Sequence, residues 1–169
     1  MEKKDIKCRD SIRDMITDFS KDVEVTPEVL DSRRERIIQL EEAMKEIPAS
    51  YEMKEFNEGR VTHHFATGVY GRELFIPAGN VIVSKIHRGK TFNVIAQGVI
   101  SVICPNNGYN TYTAPHTFVS EPYTKRIVIS HEDTLWITSH GTDKTDLDEI
   151  EEEIIAKDFS ETKLLKEGV

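Results

Sequence analysis

Two hydrophobic periods divide the chain. Before residue 50 apolar residues recur at helical spacing: Leu30, Ile37 and Met44 stand seven apart, with Leu40 and Ile47 between them. This a/d-like stripe predicts an amphipathic helix. Thr26-Pro27-Glu28 supplies its start, with a capping hydroxyl, a proline at the first helical position and an acid at the positive end of the dipole. No Gly or Pro interrupts the run until Pro48. Arg33 breaks the stripe, which covers about two and a half heptads and falls short of a sustained coiled coil. Two uses remain open: a helix lying on its own domain, or one that forms a dimer. Residues 5–20 carry a weaker amphipathic pattern with Ile6, Ile12, Ile16 and Phe19.

From about residue 60 the period shortens. Apolar and β-branched runs occur at Val69–Ile76, Val81–Ile86, Phe92–Ala96, Val99–Ile103, Thr111–Thr113, Arg126–Ser130 and Leu135–Thr138. Between them lie Pro77-Ala78-Gly79, Arg88-Gly89-Lys90, Gln97-Gly98, Pro105-Asn106-Asn107-Gly108 and Glu121-Pro122-Tyr123. Short strands so spaced, with no helix between, predict an all-β sandwich or barrel. Asn107-Gly108 is a hairpin signal, because both residues accept positive φ. After Gly141 the pattern returns to helical: Thr145 with Asp148 forms a capping pair, and Leu147, Ile150, Ile154 and Ile155 make one apolar stripe. The end after Phe159 is polar and expected to fray.

Charge sharpens this division into a helical arm (1–50), a β-rich unit (51–140) and an acidic helix with a tail (141–169). Their net charges are −3, +1 and −6, within a total of −8 over 169 residues. All six histidines and seven of nine glycines lie in the middle unit, so the chemistry is expected there. Such acidity lacks the basic footprint that neutralises phosphates, so no nucleic-acid partner is expected. The N-terminus has no apolar signal region and no apolar run reaches 18 residues, so a cytoplasmic protein without membrane contact is expected. Cys8 and Cys104 form no CxxC pair, which argues against structural zinc; Cys104 reads as a buried small hydrophobe.

The middle unit resembles the cupin superfamily, and more closely a small cupin-like type of tailed bacteriophages. The resemblance is carried by His63-His64-Phe65-Ala66-Thr67-Gly68-Val69-Tyr70-Gly71-Arg72-Glu73, Ile76-Pro77-Ala78-Gly79 and Lys85-Ile86-His87 running to Ile95-Ala96-Gln97-Gly98. Ala114-Pro115, Ser120-Glu121-Pro122, Lys125-Arg126, Glu132-Asp133-Thr134-Leu135-Trp136 and His140 complete it. It covers about 80 of 169 residues and does not reach residues 1–50. It implies a mainly β, single-domain, double-stranded β-helix or jelly-roll barrel with an α-helical arm at each end. By itself it says little about activity, because one fold hosts many chemistries.

Cupin metal sites take two histidines and a glutamate from one strand pair and a third histidine from a second motif. Counting back from Gly98, His87 falls at the second histidine position, Lys85 replaces the first, Thr91 lies near the glutamate position and Lys125-Arg126 replaces the last histidine. Substitute ligands are His64, His87 and His140, if all point inward; adjacent His63 and His64 cannot both do so on an extended strand. Such a site would take Fe, Mn, Ni or Zn. His116 and His131 sit among turn residues.

Other residues suggest binding. Glu73 and Arg72 alternate, so one faces in; a buried Glu73 beside His87 would be a general base, and a Glu73–Lys85 or Glu73–Arg126 pair would be structural. Lys85, Arg88, Lys90, Lys125 and Arg126 cluster in two stretches and, with His87, suit an anion such as a nucleotide or sugar phosphate. Tyr70, Tyr112, Tyr123 and Trp136 could line a pocket, although strand aromatics more often fill a core. No GxSxG, Walker or GxGxxG motif occurs. The ligand-binding candidates are thus His87, Lys85, Arg126, Glu73, Tyr70 and Trp136.

Three functions follow. The first is a non-catalytic phage-type module that binds a small polar or anionic ligand or a protein partner, homo-oligomeric through its arms, with host takeover or counter-defence as the role that the resemblance implies. In that case the host cytoplasm is its location. The second is a metal-dependent dioxygenase or isomerase. The third is a structural or virion-associated scaffold.

Overall fold

A computed structural model describes residues 13–15, 17–20, 23–47 and 53–161. Helix α1 (Pro27–Lys45) begins as its sequence predicts: the Thr26 hydroxyl accepts from Val29 N–H, with Pro27 in the first turn. A one-turn helix, α2 (Met53–Asn57), leads into the strands. These are β1 (Val61–Ala66), β2 (Val69–Ile76), β3 (Val81–Val83), β4 (Ile86–His87), β5 (Thr91–Gln97), β6 (Val99–Cys104), β7 (Gly108–Thr113), β8 (His116–Ser120), β9 (Ile127–Ser130) and β10 (Thr134–His140). Helix α3 (Leu147–Ile154) and a short β11 (Ile155–Ala156) follow.

The strands form a five-stranded sheet of order β1-β2-β10-β5-β8 and a four-stranded sheet of order β3-β9-β6-β7; β11 pairs with β4. Every pairing is antiparallel. From β2 onward the chain crosses between the sheets repeatedly, and the two sheets face each other as a jelly roll. The expected barrel is therefore two opposed sheets.

Alternation explains the core. On β2, Tyr70, Leu74 and Ile76 are buried, whereas Val69 and Phe75 are exposed on the opposite face. Leu74, Ile76, Ile82, Ile95, Ile100 and Trp136 belong to one cluster between the sheets. Each such side chain removed from water contributes about 1.5–3 kcal/mol.

A second cluster covers the outer face of the four-stranded sheet. Ile37 and Leu40 of α1 pack with Phe19, Val83, Ile103 and Ile127. The apolar stripe of α1 therefore lies on its own domain. Arg33, which interrupts that stripe, is 3% exposed and donates to the carbonyls of Pro105, Asp18 and Ser20. Its guanidinium also stacks 5.0 Å from the Phe19 ring. The expected helical residues Ile6, Ile12 and Ile16, together with Cys8, lie outside the described residues, as does the end after residue 161.

Several local expectations are corrected. β1 and β8, the two edges of the five-stranded sheet, were not among the strands expected from the sequence. His64 lies within β1 and His116 within β8. The cap of α3 is Asp146, whose carboxylate accepts from the N–H groups of Asp148 and Glu149, in place of Thr145. In the β6–β7 turn only Gly108 takes positive φ, at 70°. Gly98, at φ 87°, is required more stringently, since a Cβ there would lie 2.5 Å from the Asp133 carbonyl oxygen. Among the described residues no helix is long and apolar enough to cross a membrane.

Candidate functional site

A cavity of about 490 Å³ opens between the inner faces of the two sheets. Strand register fixes its layers. Across β2 and β10 the facing pairs are Leu74 with Trp136, then Arg72 with Thr138, then Tyr70 with His140. Across β3 and β9, Ile82 faces Val128, and beyond that pair Ser84 N–H donates to the Arg126 carbonyl. All of these line the cavity. In both sheets an apolar floor thus gives way to a row carrying a guanidinium, and in the five-stranded sheet Tyr70 and His140 follow it at the mouth.

Helix α3 roofs the cavity with Leu147, Asp148, Ile150, Glu151 and Ile154. Its local sequence explains the position. The Asp146 cap starts the helix, and the i, i+3, i+7 spacing of Leu147, Ile150 and Ile154 puts them on one side, toward the cavity. Lys85 Nζ meets Glu151 Oε1 at 2.5 Å across the opening. Arg88 ties the far end of α3, donating to the carbonyls of Glu152 and Glu153 and bonding Glu161 at 2.8 Å.

The electrostatics of the interior are unusual for an acidic protein. Arg126 is 6% exposed, lines the cavity, and its guanidinium has neither a hydrogen-bond acceptor nor a carboxylate partner among the described residues. Burial lowers its pKa. Among the described residues the Arg72 guanidinium hydrogen-bonds the neutral amide of Asn57, at 2.9 Å; burial lowers its pKa, opposed in smaller part by Tyr70 and the Glu151 carboxylate. The rings of His87 and His140 lie 4.9 Å apart. Burial, then the charge environment of His140 and the two arginines, pushes His87 down to about 3. Burial and Arg72 push His140 down to about 4. Both imidazoles are neutral at pH 7. His87 Nδ1 pairs with Thr91 Oγ1 at 3.2 Å, and His63 Nδ1 with the Tyr70 hydroxyl at 2.7 Å.

Of the residues singled out in the sequence, His87, Lys85, Arg126, Tyr70, Trp136 and His140 line this cavity. Glu73, His64 and Lys125 are placed elsewhere. Glu73 turns to the outer face of the five-stranded sheet, where it meets His64 at 3.5 Å. The parity of β2 sends Arg72 inward in its place, so neither a Glu73 general base beside His87 nor a Glu73 pair with Lys85 or Arg126 is formed. His64 sits opposite Gly71 on the same outer face and does not join His87 and His140. Lys125 also turns outward, to Glu41 of α1 at 2.9 Å. Tyr112 stacks on Phe118 and His116. His131 meets the buried Ser101 hydroxyl at 2.7 Å.

A metal centre of the expected kind does not fit this donor set. His87 and His140 bring two imidazoles together, but the nearby charged groups are guanidiniums. No group of three His, Cys, Asp or Glu donors occurs among the described residues. Sequence reasoning missed Asn57 and the roof residues of α3; of the adjacent His63 and His64, it is His63 that lines the cavity. Arg72 was legible in principle, because it shares parity with Tyr70, Leu74 and Ile76, the more apolar set on β2.

No family model matches the sequence, and no curated protein matches it. Solved structures do show likeness. A cupin family protein of double-stranded β-helix fold from Methanocaldococcus jannaschii is 14% identical, over 57% of this chain and 93% of its own, with a TM-score of 0.43. KdgF from Halomonas sp. is 17% identical over 51% of this chain and 79% of its own, also at 0.43. Protein NMB1881 from Neisseria meningitidis is 8% identical over 55% and 98%, again at 0.43. By its strand order, β1-β2-β10-β5-β8 facing β3-β9-β6-β7, the chain folds as an antiparallel double-stranded β-helix, or jelly roll.

Proposed function

We propose that the protein is a ligand-binding module that holds a small anion in the jelly-roll cavity, with Arg126 and Arg72 as its charge partners. One observation carries the reading: Arg126 is buried against the cavity without a counter-charge among the described residues. Burying an ion without a partner costs several kcal/mol. Charge-assisted, often bidentate hydrogen bonds from guanidinium to a carboxylate or phosphate offset such a cost. The neutral imidazoles of His87 and His140 and the Tyr70 hydroxyl add hydrogen-bonding groups around the same space.

Isothermal titration of the full chain against carboxylates and phosphate monoesters tests this. Saturable one-to-one binding that Arg126→Met abolishes supports the reading. Failure of every anion to bind overturns it.

A further inference from the structure

The floor of the cavity specifies more than charge. Below the guanidinium row the lining is Leu74, Ile76, Ile82, Val128 and Trp136. The four aliphatic side chains have no donor or acceptor. The indole N–H of Trp136 is already committed to Asn93 Oδ1 at 3.1 Å, inside the wall. That amide is itself fixed, since Asn93 Nδ2 donates to Ser120 Oγ at 2.7 Å and to the Thr91 carbonyl at 2.7 Å. One level up, the Thr138 hydroxyl donates to the Arg72 carbonyl. The roof adds Leu147, Ile150 and Ile154 to the apolar lining, beside the carboxylates of Asp148 and Glu151.

Resting on the anion-binding reading above, we infer that the ligand is an amphipathic organic anion: a carboxylate or phosphate monoester on an apolar body, its head at Arg72 and Arg126 and its body on the aliphatic floor. A sugar phosphate or a nucleotide is a poor match. Ribose or sugar hydroxyls seated on the floor would lose water against Leu74, Ile76, Ile82 and Val128 and find no partner there, and each buried hydroxyl left unmatched weakens binding roughly tenfold or more. The cavity, at about 490 Å³, lies in the range of sites that enclose small organic ligands.

A homologous series measures this directly on the unaltered chain. Titrations with acetate, butyrate, hexanoate and octanoate should tighten by about fourfold for each methylene that reaches the floor. Hexyl phosphate should bind at least tenfold more tightly than glucose 6-phosphate or adenosine monophosphate. Hexanol, which lacks the head, should bind at least tenfold more weakly than hexanoate. A flat series, with acetate and inorganic phosphate binding as tightly as octanoate and hexyl phosphate, overturns the apolar-body inference and leaves the anion site standing. Tighter binding of the sugar phosphate or nucleotide overturns it as well. Hexanol matching hexanoate, or no binding by any anion, overturns the anion site itself. Narrowing the floor with Val128→Leu should weaken octanoate more than acetate. The native-chain series decides the matter even if that variant folds poorly.

Discussion

His87 and His140 face each other across the mouth of the cavity, ring centroids 4.9 Å apart, and neither is charged at neutral pH. The pair has a consequence for acid stability. The folded values, about 3 for His87 and about 4 for His140, lie below the ordinary 6.5. As pH falls below 6.5 the unfolded chain takes up protons that the folded chain refuses, so their contribution, whole above 6.5, is lost progressively toward pH 3. Each histidine accounts for at most about 1.4 kcal/mol per pH unit in that window. Urea denaturation at pH 7.5, 6.0 and 5.0 should show falling stability, with a shallower slope for His87→Gln. An identical slope in the variant would show that His87 titrates normally.

Arg126→Met is expected to stabilise the ligand-free protein by about 1–4 kcal/mol, because it removes a buried charge that lacks a partner and keeps the volume. Sites shaped for a ligand commonly hold such unfavourable groups. Thermal denaturation without added anion checks the sign. A lower Tm would make Arg126 a structural residue.

The same substitution at Arg33 should go the other way. Arg33 is as deeply buried, but its guanidinium serves the carbonyls of Pro105, Asp18 and Ser20. Arg33→Met strips those acceptors of their donor, at an expected cost of about 2–4 kcal/mol in denaturant midpoint measurements. Equal effects of the two substitutions would contradict the distinction between a site arginine and a framework arginine.

The Lys85–Glu151 pair bridges the opening, yet both side chains are substantially exposed, at 43% and 59%. Glu151→Gln should therefore change stability by no more than about 1 kcal/mol. Its effect should be on access: both association and dissociation of hexanoate should accelerate by several-fold in stopped-flow mixing, since α3 is held by one fewer contact. Rates unchanged within twofold would show that ligand does not pass beneath α3.

The central strands were legible in the sequence because burial on one face forces a period of two: Val69–Ile76 was bounded to the residue. β1 was not, since solvent on most sides of Val61–Ala66 leaves no pattern to read. The same limit governed the site. His87, Arg126, Tyr70 and Trp136 were recognisable as chemistry, and a single parity decision on β2 exchanged Glu73 for Arg72. That decision changes the character of the cavity from acid–base to cationic. The contribution of α3 was invisible for another reason: which helix covers a sheet opening depends on packing between distant segments.

The position of β10 has one more consequence. The last long strand is inserted between β2 and β5, in the middle of its sheet. Until it docks, those two strands have no common neighbour, and Trp136, Thr138 and His140 are missing from one wall. A nascent chain still lacking this segment on the ribosome therefore holds no enclosed space, however well its earlier strands have paired. Capture of a small molecule can begin only after the contacts most distant in sequence have closed, which makes the binding pocket among the last features to exist during synthesis.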